Sequence, residues 1–206
     1  MLERLKLLVP LAVLFVSASV SAAQTIVVVG DSLSSGYGLT AEQSWVSMLR
    51  ERLGSEAYGY DVVNASIAGD TSAGGLARLP RLLAEHSPAV VVIELGGNDG
   101  LRGQPVDTLR SNLAKMIELS LQRGARVLLA GMQIPPNYGP AYTQSFAAVY
   151  TELAMRYHVA LVDFLLAGVA LHPDLMQADG IHANAAGQKI VFDNVWHVLP
   201  GVLRAQ

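Results

Sequence analysis

Two kinds of apolar run alternate along this chain. Ile26-Val27-Val28-Val29 and Val90-Val91-Val92-Ile93 are unbroken and β-branched. Runs of that length with no polar face read as strands buried on both sides. Other segments repeat apolar residues at intervals of three and four: Trp45, Val46, Leu49 and Leu53, then Val106, Leu109, Leu113, Met116 and Ile117. Tyr142, Phe146, Val149, Leu153 and Tyr157 make a third such set, and Ile190, Val191, Val195, Val198 and Leu199 a fourth. Each lays one apolar stripe along a helix. The pattern predicts strands over 25–30, 60–64, 89–95, 126–132 and 159–164, with an irregular region over 165–182. Thr40 and Gln43 have capping-box spacing for the first helix, and Gly54 closes it. Pro105 suits a first-turn position, Asn184 the cap of the last helix, and Pro80 an interruption of the Leu-rich segment 76–85.

Strands alternating with amphipathic helices predict one α/β domain. The expected architecture is a three-layer αβα sandwich around a doubly wound, mostly parallel five-stranded sheet in the flavodoxin-like order 2-1-3-4-5. In that order the ligand crevice opens where the first and third strands part, beyond Gly30-Asp31-Ser32 and Gly97-Asn98.

Composition narrows the class. The 206 residues are 51% hydrophobic and 15% charged, which suits one sizeable core, and no repeat or linker marks a second domain. A net charge of −3 with scattered Lys and Arg offers no basic stripe for nucleic acid. With no cysteine, a disulfide framework, a thiolate nucleophile and a cysteine-ligated zinc are all excluded. Arg4 and Lys6 precede an apolar run from Leu7 to Val16 and then a small-residue stretch ending Ala22-Ala23. That is the pattern of a secretory signal peptide over 1–23, leaving a domain of 24–206 exported to the periplasm or beyond. An uncleaved membrane anchor is the alternative, although the apolar stretch is short for a span of about 20 residues.

Candidate chemistry sits at the ends of the predicted strands. Ser32 follows the first strand, and a serine hydroxyl needs a base that a third group orients. Of the five histidines, His86, His158 and His197 fall at helix or strand positions that suit surface or packing roles, and His172 lies in the irregular region. His182 stands apart, because Asp179-Gly180-Ile181-His182 puts a carboxylate within one turn of an imidazole. By spacing alone Asp179 could equally be a helix cap and His182 incidental. Likewise Gly69 could serve only a turn, and Asn98 could only cap its loop. Glu94, late in a buried strand, must be paired or hydrogen-bonded, and Asp31 suits a bond within the turn that presents Ser32.

Taken together, four ordered segments resemble the SGNH, or GDSL-type, serine hydrolases. They are Gly30-Asp31-Ser32-Leu33, Ala68-Gly69-Asp70, Gly96-Gly97-Asn98-Asp99 and Asp179-Gly180-Ile181-His182. Val63 to Gly75 and Val92 to Gly103 are similar in detail to exported bacterial esterases with acyl-thioesterase, arylesterase and lysophospholipase activities. The resemblance implies Ser32 as nucleophile, His182 as base and Asp179 as its partner. It also implies an oxyanion hole made of the Ser32 and Gly69 N–H groups and the Asn98 amide, with no cofactor or metal. The implied substrates are small acyl esters and thioesters such as aryl esters, acyl-CoA-like thioesters and lysophospholipids, with transient lipid contact and no stable protein partner. By that resemblance the loop Ile134 to Gly139 would border an acyl-binding crevice; on its residues alone it could equally be purely structural. Two alternatives remain: a carbohydrate or peptidoglycan O-deacetylase using the same residues, and a nucleotide-binding module, since Gly36-Tyr37-Gly38-Leu39-Thr40-Ala41 formally fits G-x-G-x-x-A. A G-x-S-x-G elbow is absent because Ser34 replaces its second glycine.

Overall fold

A computed structural model describes residues 23–204 apart from 57. The signal-peptide stretch therefore lies outside the described residues, save Ala23. Five strands form the sheet: β1 (Gln24–Gly30), β2 (Tyr60–Asn64), β3 (Val90–Glu94), β4 (Arg126–Ala130) and β5 (Ala160–Val162). Their order is β2-β1-β3-β4-β5, and every pairing is parallel. β1 and β3 are central, with Val28 in register with Val92 and Gly30 with Glu94. Their apolar side chains are fully buried, as strands covered on both faces must be.

Among the described residues seven α-helices accompany the sheet: α1 (Ser32–Ser35), α2 (Trp45–Ser55), α3 (Ser72–His86), α4 (Gly97–Leu101), α5 (Val106–Gln122), α6 (Pro140–Tyr157) and α7 (Ala185–Arg204). α2 packs with α7 on one side, and α5 packs between α3 and α6 on the other. The stripes predicted on α2, α5, α6 and α7 supply the two interlayer cores, with Trp45, Leu113, Phe146 and Val195 fully or almost fully buried. The described residues share one continuous core.

Several local expectations are corrected. The Thr40/Gln43 capping box exists, but it caps a 3-10 turn over Ala41–Gln43. α2 starts afresh at Trp45 behind Ser44, whose side chain accepts from Ser47 N, and it runs through Gly54 to Ser55. Pro105 is the N-cap of α5 rather than its first-turn residue. β4 and β5 end earlier than their apolar runs, because residues 131 and 163–165 continue as loop. Pro80 does not interrupt α3, which is one helix from Ser72 to His86. Pro80 is exposed, and the helix is held elsewhere: Thr71 caps it by accepting from Gly74 N, and Ser72 anchors its first turn. Asn184 caps α7 as expected, its Oδ1 accepting from the N–H groups of Ala186 and Gly187.

Candidate active site

Ser32 opens α1 at the carboxyl end of β1. Gly30 before it leaves no room for a side chain, since a Cβ there would lie 2.5 Å from Glu94 Oε2. Asp31 caps the helix, its Oδ1 accepting from Leu33 N at 3.0 Å. That short turn holds the Ser32 hydroxyl at the mouth of the sheet, half-buried, 150 residues in sequence from its partner.

The partner is His182. Its Nε2 lies 2.8 Å from Ser32 Oγ, and its Nδ1 lies 2.7 Å from Asp179 Oδ2. Asp179 Oδ1 accepts from the backbone N–H groups of Ile181 and His182 at 2.9 and 3.0 Å, so the carboxylate is locked into the turn that it closes. Burial opposes the Asp179 charge, but those two N–H bonds and the imidazole outweigh it and bring its pKa down to about 2. An ionised Asp179 accepts only, so the Nδ1 proton points at it and Nε2 is left as the acceptor for the Ser32 hydroxyl. The turn is steadied by Gln177, whose backbone N–H donates to His182 O and whose side chain donates to Tyr37 O and Ala183 O. Of the other histidines, His158 is the left-handed C-cap of α6 and His86 lies in the last turn of α3, as structural roles require.

Gly69 and Asn98 come to the same end of the sheet. The loop after β2 is drawn against β1 by Ala65 N donating to Val28 O and Ile67 N to Gly30 O. Gly69 there has φ +79°, which L side chains rarely adopt, whereas a Cβ would meet nothing within 4 Å. Backbone conformation, rather than crowding within the protein, is what calls for glycine. Among the described residues, none accepts from the backbone N–H of Ser32 or of Gly69. Asn98, in the first turn of α4 after β3, donates through Nδ2 to Asp31 Oδ2 at 2.9 Å, which leaves its second amide hydrogen for another acceptor.

Sequence reasoning left some of this neighbourhood unseen. The Tyr37 ring lies 4.7 Å from the His182 ring. Arg102, the C-cap of α4, donates to Gly69 O at 3.0 Å and so ties the Asn98 helix to the glycine loop. Asp99, beside Asn98, accepts from both the hydroxyl and the N–H of Ser72 and thereby fixes α4 to α3. No sequence period signals contacts between residues this far apart.

Beneath Ser32 lies a pair of carboxyl groups. Glu94 Oε2 accepts from Ser34 Oγ at 2.5 Å and Asp31 N at 3.1 Å, which matches the structural role expected of it. Complete burial, then the neighbouring Asp31 charge, push its pKa well above the ordinary range. Burial likewise raises Asp31 to about 6, against the pull of its bonds from Leu33 and Asn98. A group with a raised folded-state pKa gives stability that is complete below its unfolded pKa and is lost as pH rises toward the folded one. Glu94→Gln keeps a neutral group of the same shape, so its stability relative to wild type is expected to improve steadily from pH 4 to pH 7. Denaturant midpoints across that range check this, and a constant difference would mean that Glu94 is ionised in the fold.

An apolar crevice of about 310 Å³ runs away from this cluster. Leu33, Leu101, Ile134, Phe164, Leu166 and Met176 are among its walls, and Gly97 and Ile181, neighbours of Asn98 and His182, stand at its edge. Ile134, Pro135 and Pro136 line it, as the loop was expected to. Tyr138 instead anchors that loop by donating to Leu101 O.

Residues 28–190 match the GDSL-like Lipase/Acylhydrolase family. The chain belongs to that family. Esterase TesA of Pseudomonas aeruginosa is 56% identical over 183 residues, covering 89% of this chain and 91% of the relative. Thioesterase 1/protease 1/lysophospholipase L1 of Escherichia coli strain K12 is 43% identical over 173 residues, covering 84% and 82%. A crystal structure of TesA superposes with a TM-score of 0.85 at 55% identity over 87% of this chain and 99% of that one. That superposition shows that this chain and TesA share one fold; in this chain the crevice opens at the switch point between β1 and β3.

Proposed function

We propose that the chain is a serine hydrolase that cleaves carboxylic esters and acyl thioesters through an acyl-enzyme on Ser32. The observation that carries this reading is the unbroken relay from Ser32 Oγ through His182 to Asp179, at 2.8 and 2.7 Å. As Oγ attacks the acyl carbonyl, its proton passes to His182 Nε2, and Asp179 holds the ring and stabilises the imidazolium. Negative charge on the tetrahedral carbonyl oxygen meets the Ser32 and Gly69 N–H groups and the free Asn98 amide hydrogen. Collapse breaks the bond to the leaving oxygen or sulfur, which takes the proton from Nε2. Water then adds to the acyl-enzyme with His182 again as base and releases the acid and Ser32.

The acyl chain lies in the apolar crevice, which favours medium to long chains, while aryl, thiol and lysophospholipid leaving groups face solvent. Names of relatives support this range: an esterase, and an enzyme called both thioesterase and lysophospholipase. The amino-terminal pattern of Arg4, Lys6, an apolar run and Ala22-Ala23 supports export of the domain. The test is a panel of p-nitrophenyl esters and acyl-CoA thioesters from acetyl to palmitoyl, with sugar acetates alongside. The expected result is kcat/KM rising with chain length on both series. Activity confined to sugar acetates would replace the reading by O-deacetylation.

A further inference from the structure

Six large apolar side chains are exposed among the described residues, and four of them lie in loops at the carboxyl end of the sheet. Leu171 is 91% exposed, Ile67 54%, Tyr37 52% and Ile181 43%. The four come from three different loops, those after α1, β2 and β5, yet each adjoins the cluster around Ser32. Tyr37 packs on His182, Ile67 is two residues from Gly69, and Leu171 and Ile181 edge the crevice. The exposed Pro135 and Pro136 continue the rim. Leu171 is also held at φ +69°, a conformation uncommon for a non-glycine residue, at the tip of a turn in which His172 N donates to Val169 O. An apolar side chain raised into water on a strained turn gains nothing from the fold itself.

We infer that this rim docks the protein on a zwitterionic phospholipid surface, with Leu171 and Ile67 entering the headgroup boundary. The inference rests on the acyl-hydrolase reading and deepens it by naming where the acyl substrate comes from. A protein seated stably on the rim would seal the mouth that leads to Ser32. A bilayer covers the same rim and lets a chain slide from one apolar phase into the next without crossing water. Near the mouth the carboxylates are offset, Asp70 by Arg78 at 2.8 Å and Asp179 by its bonds to His182, while Arg102 is held on Gly69 O. With a net charge of −3 on the whole chain there is no excess of positive charge to draw anionic headgroups, so attachment is by apolar insertion and changes little with salt.

The test uses the full-length mature protein carrying Ser32→Ala, so that no lipid is consumed, with phosphatidylcholine vesicles in a sedimentation assay. Vesicle partitioning is expected to change little between low and high salt and to fall about tenfold or more in a Leu171→Asn/Ile67→Asn variant. Asn tolerates the left-handed backbone at 171, so a matching thermal midpoint separates lost docking from lost folding. No partitioning, partitioning unchanged by the two substitutions, or binding to anionic vesicles alone would overturn the inference. So would a dimer in solution that the same substitutions dissolve, which would assign the rim to a second copy. Hydrolysis of a soluble short-chain ester by the Ser32 protein, run in parallel, reads the hydrolase assignment separately from docking.

Discussion

Ser32→Ala is expected to lower kcat for every ester and thioester the protein cleaves by roughly 10⁴–10⁶, with KM little changed. In the proposed mechanism the acyl group transfers to this hydroxyl oxygen, which lies 2.8 Å from His182 Nε2. His182→Ala is expected to cost about as much, and the double variant no more than either single change, because a base without its nucleophile does nothing. Stopped-flow and steady-state rates on one ester measure all three. Losses that multiply across the double variant would mean that the two residues act independently. Neither substitution should move the thermal midpoint far, since both side chains stand at the open end of the sheet rather than in its core.

Asn98→Ala should lower kcat by roughly 10²–10³ with a smaller effect on KM, the usual cost of one oxyanion donor. The amide is positioned before substrate arrives, because Asp31 Oδ2 takes one of its hydrogens at 2.9 Å. Asp31 is thus a positioning residue for Asn98 as well as the cap of α1. Asn98→Asp keeps the size but replaces the donor with a carboxylate facing Asp31, and it should be at least as damaging as alanine. An unchanged kcat in Asn98→Ala would remove Asn98 from the hole and leave the two backbone N–H groups as its only candidates.

Much of this arrangement could be read from residue order, and what could not has a common cause. β1 and β3 were legible because Val27 to Val29 and Val90 to Ile93 have no polar face, and the switch point followed from the strand order. The Asp179/His182 pair was legible only in company with the other three segments, since a three-residue spacing by itself fits a helix cap and an incidental histidine as well. α3 was misread because Gly74, Gly75 and Pro80 are poor helix residues. Its start depends instead on Ser72 binding Asp99, 27 positions away. Gly75 is tolerated for a tertiary reason too, since a Cβ there would run into the Leu95 side chain. The bonds from Ser34 to Glu94, Asn98 to Asp31 and Arg102 to Gly69 join residues 33 to 67 apart, where local propensity carries no signal. The exposed rim escaped for a different reason: single apolar residues in loops look unremarkable until the fold gathers them at one mouth.

The central claim is that Ser32 is a nucleophile activated by His182, and covalent labelling tests it most directly. Wild-type protein treated with an alkyl fluorophosphonate should gain one phosphonyl group, located by mass spectrometry on the peptide that contains Ser32, while Ser32→Ala stays unmodified and His182→Ala is modified far more slowly. A label on any other residue, or equal labelling of the wild-type and Ser32→Ala proteins, would contradict it.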